Sequence, residues 1–271
     1  MLRGFYSAAS GMMAQQRKTE MLNNNISNVN TPGFKEDKGA IRTFPEMLLQ
    51  AKNTTGQNGQ GSHPIGELAT GVYMQEKTAN TVQGDLQETG NAVDVAILNG
   101  NVPENEAGDP SSIYFAVTNE EGETGYSRNG NFAVDGAGFL TTSQGHYIQD
   151  TDGQPIAVGN ERFTLSRDGI VTTEDGEQAG QIAIAYAENS DDLVKEGSGL
   201  YRSENGDLPP AGESGADYQL QQGFVERSNV DTTQTMGELT SSYRNFESNQ
   251  KILQSYDQSM QRAVNEVGRL G

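Results

Sequence analysis

The chain contains no cysteine and no tryptophan among its 271 residues. Without cysteine there is no disulfide framework, no thiolate zinc centre and no thiol nucleophile. Long apolar runs are missing too. Nowhere do the roughly 20 consecutive apolar residues of a membrane-spanning helix occur, and MLRGFYSAASGMMAQQRK lacks the unbroken apolar core of a cleaved secretory signal. Hydrophobic residues make up only 33% of the chain and there are 2 histidines, against 33 glycines. That balance suits extended, turn-rich β structure better than a compact enzyme. Basic charge is scarce in one region in particular. Residues 1–52 carry 7 Lys/Arg and 4 Asp/Glu, residues 224–271 carry 5 and 6, and residues 53–223 carry 6 and 27. With no basic patch, nucleic acid is disfavoured as a partner. The near-neutral ends read as interfaces and the acidic centre as solvated surface.

What is present is a helical pattern at each end. Leu2, Phe5, Ala9, Met12, Gln16, Thr19, Asn23 and Ile26 step alternately by three and four, and five of these eight are apolar. Near the other end, Met236, Leu239, Tyr243, Phe246, Gln250, Leu253, Asp257, Met260, Val264 and Val267 form a stronger stripe. Asp231 with Gln234 resembles a capping box, Gly268 is a suitable stop, and Arg262 and Arg269 lie where the helix dipole favours cations. A helix of roughly 36 residues would be about 54 Å long. A helix of that length needs a partner along its side, and the N-terminal helix is the obvious one. The stretch MLNNNISNVNTPGFK, residues 21–35, interleaves asparagines with Ile26 and Val29 before turning at Pro32-Gly33. It reads either as a frayed helix end or as a surface whose side-chain amides meet a partner.

Between the helices the pattern changes. Residues 53–67, rich in Gly, Asn and Gln, read as a flexible or extended linker. Short runs at Ile113–Val117, Gly125–Ser127, Tyr147–Gln149 and Gln181–Ala187 then imply an all-β domain over roughly 85–223. FAVDGAGFLTT (132–142) and FTLSRDGIVTT (163–173) share Phe at position one, Gly at seven and a closing Thr-Thr. Each predicts a hairpin whose Gly supplies a positive φ.

Catalytic chemistry finds little footing. His63 lies in the linker and His146 beside Tyr147, and no G-x-S-x-G elbow occurs. Acidic residues such as Asp150, Asp152, Asp168 and Asp175 sit in turns, although a carboxylate-pair hydrolase stays open in principle. DTDGQP (150–155) fails the calcium-loop template and reads as a turn. NGNF (129–132) lacks the lysine and the strand–loop–helix setting of a phosphate loop. Tyr243, Phe246 and Tyr256 read as helix packing.

Several segments taken in order carry a resemblance. NNISNVNTPGFK (24–35) closely resembles the N-terminal signature of bacterial flagellar rod and hook proteins, and YSAASGMMAQQ (6–16) resembles the helix ahead of it. QGDLQETGNAVDVAI (83–97), GYSRNGNFAVDGAGFLTTSQGHYI (125–148), ERSNVD (226–231) and YRNFESNQKILQSYDQSM (243–260) are similar to later family segments. Length and layout resemble the distal-rod subgroup. The chain departs from the family at Asn23, where Ala is common, and in LNGNVPENEAGDPSSIYFAV (98–117), which replaces a Gly-x-Gly-Phe-Phe strand.

The resemblance implies an α+β fold: paired terminal helices form a discontinuous coiled-coil domain around a central all-β domain. The expected boundaries are 1–35 and 224–271 for the helices, 36–84 for an extended linker and 85–223 for the β domain. It further implies a structural subunit of the distal rod or rod–hook junction, in the basal body outside the cytoplasmic membrane. Such a subunit is exported by the flagellar type III apparatus and assembles with itself and other rod and hook subunits into a helical tube. No catalytic residue, cofactor, metal, nucleic acid or membrane insertion is expected. A rod-associated peptidoglycan hydrolase and a hook-type or adhesin-like surface protein are the alternatives. The expected assembly interface comprises Leu2, Phe5, Ala9, Met12, Asn24, Asn25, Ile26, Asn28, Val29, Pro32, Gly33, Phe34, Met236, Leu239, Tyr243, Phe246, Leu253, Met260 and Val264.

Overall fold

The computed structural model describes residues 2–45, 47–52, 62–68, 70–103, 111–119, 122–189, 192–197 and 199–267, with backbone alone at 2–3, 47–52, 62–68 and 267. Gly268, Arg269, most of the 53–67 linker and part of the 98–117 departure lie outside the described residues. Two compact units divide the chain: residues 1–26, 38–77 and 232–271 form the first, and residues 27–37 and 78–231 the second.

The first unit is built on helix α1 (Leu2–Ser27) and helix α2 (Thr232–Val267). They run antiparallel. Lys18 pairs with Glu238 at 3.0 Å, the Thr19 and Ser242 hydroxyls meet at 2.9 Å, and farther along Gly11 faces Asn249 and Gly4 faces Tyr256. The seam on α2 is Thr235, Leu239, Ser242, Phe246, Asn249, Leu253, Tyr256 and Met260, alternately four and three residues apart and all shielded. On α1 the matching positions are Gly4, Ala8, Gly11, Gln15, Lys18, Leu22 and Asn25. With the apolar stripes counted from sequence, this seam shares Leu239, Phe246, Leu253 and Met260 on α2 and no residue on α1. Gly4 leaves room for the Tyr256 ring and Gly11 for the Asn249 amide. Counting apolar residues passes over such positions.

A two-stranded ribbon, Ile41–Thr43 with Val72–Met74, packs against α1. The Val72 amide donates to Ser10 Oγ at 3.2 Å, and Met74 buries beside Met21, Leu22 and Leu239. A second antiparallel pair, Met47–Lys52 with Ser62–Leu68, occupies part of the expected linker.

The second unit is β-rich, and its core centres on strand Ser112–Thr118. One edge of that strand pairs with Thr124–Ser127 and the other with both Tyr147–Ile148 and Ile184–Ala187. It is buried on both faces: Ile113, Phe115 and Val117 enter the main core, while Tyr114 and Ala116 enter a smaller one. Strand Val95–Asn99 pairs with Tyr218–Gln222, and Leu86–Glu88 with Phe224–Glu226. Both hairpins read from the eleven-residue pattern form, at Phe132–Val134 with Leu140–Thr142 and at Thr164–Leu165 with Ile170–Thr172. Their glycines take φ values of 88° at Gly138 and 90° at Gly169, as the turn requires. DTDGQP is a turn in which Asp150 Oδ1 accepts from the amides of Asp152 and Gln154 at 2.9 Å each.

Candidate functional site

The NTPGFK stretch folds onto residues distant in sequence. After α1 ends, the Thr31 amide donates to the Asn28 carbonyl at 3.1 Å, and Gly33 takes a φ of 69°. Gly33 is required twice over. Its φ lies in the left-handed region, and a Cβ there would collide with the Arg128 carbonyl. Its amide donates to the Glu226 carbonyl at 2.7 Å. Phe34 is buried, with Lys195 Nζ 4.7 Å from its ring centre. Lys195 also bonds the Lys35 carbonyl at 3.0 Å and Asp37 Oδ1 at 2.5 Å.

Behind this turn lies a buried charge cluster of two cations and one anion. Glu226 Oε1 accepts from Lys35 Nζ at 2.6 Å and from the Gly84 amide at 2.9 Å, and Oε2 accepts from Arg128 Nε at 2.6 Å. Lys35 also donates to the Val82 carbonyl, and Arg128 to Ile113 O, Ile97 O and Asn99 Oδ1. All three charged side chains are at most 3% exposed. Burial lowers the Lys35 pKa from 10.5 to about 8, with Arg128 adding to the shift and Glu226 opposing it. Burial raises the Glu226 pKa, but Arg128 and Lys35 outweigh it and hold the carboxyl below its ordinary value. Asn229 completes the clasp: its Oδ1 accepts from the Glu36 amide, and its Nδ2 donates to the Asn80 and Val82 carbonyls, all at 2.8 Å. Thus the TPGFK, SRNG and VERSN segments converge within one unit. All three stand out as strings in the sequence, yet none of them singles out Lys35, Arg128 or Glu226 for a role. The available signal was a lysine, an arginine and a glutamate inside these short strings.

The expected interface residues fall into three groups. Asn25, Gly33 and Phe34 are buried in the chain's own fold. Phe5, Ala9, Met12, Ile26, Asn28, Val29, Pro32, Leu239, Phe246, Leu253 and Met260 are partly buried, the last four in the α1–α2 seam. Asn24, Met236, Tyr243 and Val264 are exposed, and the side chain of Leu2 lies outside the described residues. Helix faces away from the seam also expose Tyr6 and Met13, which lie off the apolar stripe of the sequence.

No catalytic constellation accompanies these features among the described residues. His146 sits in the turn after Thr142, with its Nδ1 buried and without a hydrogen-bond partner, so no carboxylate orients it as a base. Among the described residues no group of three or more metal-ligating side chains is assembled, and no helix is long and apolar enough to cross a membrane.

Three family models match in chain order: a flagella basal body rod protein model over 5–35, the flagellar hook protein FlgE/F/G D1 domain over 112–173, and the flagellar basal body rod FlgEFG protein C-terminal model over 221–266. The flagellar hook-basal body complex protein FlhO of Bacillus subtilis is 44% identical over 100% of both chains. The chain belongs to the flagellar basal-body rod and hook protein family. The flagellar basal-body rod protein FlgG of B. subtilis is 33% identical over 98% of this chain and 99% of its own. FlgF of Caulobacter vibrioides is 29% identical over 98% of each. As a member of the rod and hook family, the chain is a structural component of the bacterial flagellum, located in its basal body. The first and last matched regions contain the clasp residues Lys35 and Glu226, and the middle one contains Arg128.

Proposed function

We propose that this rod and hook protein is a building block of the distal rod or the rod–hook junction, exported by the flagellar type III pathway and polymerising into a helical tube. The observation that carries this reading is apolar surface left on helices already paired with one another. Tyr6 (64%), Met13 (55%), Met236 (52%), Tyr243 (50%) and Val264 (70%) stand exposed. Aromatic and methionine side chains of this kind anchor protein interfaces. In this reading α1 and α2 pair as a coiled coil whose outer faces carry the contacts between subunits. The acidic β-rich unit keeps outward surfaces soluble and mutually repelling. The buried Asn25, Gly33 and Phe34 act by holding the chain's exit from α1.

The test is electron microscopy of basal bodies isolated from cells that express a labelled copy of the full chain. Label is expected along the rod or at its junction with the hook. A Met236→Asp/Tyr243→Asp chain should be secreted but absent from the structure. Rods that incorporate this double variant at the wild-type level would refute assembly through the helix faces.

A further inference from the structure

The sequence holds four Asn-Gly steps, at 58–59, 99–100, 129–130 and 205–206. Asparagine followed by glycine is a chemically labile pair. The glycine backbone nitrogen can attack the asparagine Cγ and expel ammonia, closing a succinimide ring that water reopens. Glycine favours this closure because it has no side chain to obstruct the ring and leaves the backbone free to turn. The fold then decides the outcome. The glycine N–H must not be tied to an acceptor, and the asparagine side chain must bring Cγ within roughly 3–3.5 Å of that nitrogen.

Two of these steps are held in place. Asn99 lies in the strand that pairs with Tyr218–Gln222. Its Oδ1 accepts from Arg128 Nη2 at 2.6 Å, and the Gly100 amide donates to the Asp217 carbonyl at 2.8 Å. Asn129 is buried, its Oδ1 accepts from the Asn131 amide at 3.0 Å, and its own amide donates to Ser127 Oγ at 3.1 Å. Asn58–Gly59 lies outside the described residues. Asn205–Gly206 differs on each count. Both residues are exposed, and no described residue hydrogen-bonds the Asn205 side chain or the Gly206 N–H. The chain is anchored only on either side, by the Glu204 amide on the Asp192 carbonyl at 3.1 Å and the Leu208 amide on the Tyr126 hydroxyl at 2.8 Å. A Cβ built on Gly206 would meet nothing within 4 Å, so the stretch between the anchors has room to turn. Asn205 and Gly206 also line a cavity of about 550 Å³, together with Glu188, Asp192 and Asp207.

We propose that Asn205–Gly206 is a self-modifying site, at which the folded chain converts Asn205 to aspartate and isoaspartate. The Gly206 nitrogen forms a bond to Asn205 Cγ, the Cγ–Nδ2 bond breaks, and ammonia carries away the leaving nitrogen with the proton lost from the Gly206 amide. Water then cleaves one of the two ring carbonyl–nitrogen bonds, giving isoaspartate or aspartate. Only water is consumed, and nothing is oxidised or reduced. The product sets a fourth carboxylate beside Glu188, Asp192 and Asp207, and no Lys or Arg is among the described residues lining the cavity. An already acidic face thus gains charge. Isoaspartate also lengthens the backbone by one methylene, which the open surroundings of Gly206 accommodate without disturbing the core.

The test is to hold the full chain at neutral pH and follow each Asn-Gly peptide over time by mass spectrometry. Asn205 should convert at least about tenfold faster than Asn99 and Asn129, because hydrogen bonds must break before either of those can react. In urea, where the fold no longer protects them, the three rates should converge. Heavy-oxygen water should leave one label in each product, and isoaspartate should accompany aspartate. Asn205→Gln, which can close only a larger ring, should suppress conversion at that position. An Asn205 that lasts as long as Asn99 in the folded chain, or that yields aspartate without isoaspartate, overturns the proposal. So does a difference in rate that survives in urea, since it traces the lability to local sequence rather than to the fold.

Discussion

Replacing Glu226 by Gln should be among the most damaging single substitutions in the β-rich unit. The neutral amide keeps the size of the side chain and some of its hydrogen bonds, but it leaves Lys35 and Arg128 buried together without an anion. Stranding a buried charge in this way costs about 3–5 kcal/mol. Lys35→Met is the informative comparison. It leaves Arg128 and Glu226 as a neutral pair and deprives the Val82 carbonyl of one donor, a loss of about 1 kcal/mol. Against that loss, the drop of the Lys35 pKa from 10.5 to about 8 means that holding this ammonium in the fold costs about 3 kcal/mol at neutral pH. Lys35→Met should therefore be within about 1 kcal/mol of wild type or more stable. The assay is urea unfolding of the full chain, followed by tyrosine fluorescence, since tryptophan is absent and Tyr114, Tyr126 and Tyr201 are buried in this unit. Glu226→Gln should lower the midpoint with little change in slope. Equal losses from Glu226→Gln and Lys35→Met would refute the charge argument and leave the cluster as ordinary packing.

The same lysine predicts a pH dependence. Between pH 8 and 10.5 the unfolded chain holds the Lys35 proton and the folded chain releases it, so this group makes stability rise with pH across that window. Buried Tyr114 and Tyr201, whose pKa values burial raises, act in the opposite sense above about pH 10. Wild-type and Lys35→Met unfolding midpoints at pH 7.5 and 9.5 should therefore differ in slope, the wild type gaining more. Gly33→Ala forces a positive φ on alanine and drives its Cβ into the Arg128 carbonyl. A loss of at least about 3 kcal/mol is expected in thermal unfolding. Gly237 is exposed on α2, and a methyl group added there would meet nothing within 4 Å. Gly237→Ala should gain up to about 1 kcal/mol, read from helix melting by circular dichroism. Gly11→Leu should instead separate the helices, since even its Cβ would approach Asn249 Nδ2 to 2.9 Å. Loss of helical signal is the readout.

Local chemistry was legible where the physics is local. Apolar repeats, capping residues and turn glycines place α1, α2 and both eleven-residue hairpins, because each depends on neighbours within a few positions. Gly138 and Gly169 can be read this way, since a tight hairpin turn demands a positive φ whatever surrounds it. The family signatures were legible as strings for the same reason. Their purpose was not. Lys35 and Glu226 lie 191 residues apart, and Arg128 and Glu226 lie 98 apart, so nothing short of the folded chain can show that they neutralise one another. The helix seam fails from sequence for a related reason. Tyr243 and Met236 are apolar but exposed, whereas Ser242 is buried by its hydrogen bonds to Thr19 and Gln15, and Gly11 is covered by the Asn249 side chain. The sequence alone settles the two helices and the two eleven-residue hairpins, since backbone preference and side-chain period act over a few residues. The tertiary structure decides which helix face is spent inside the molecule, which stays exposed, and why the TPGFK turn needs its glycine. Those outcomes depend on contacts that exist only once distant segments meet.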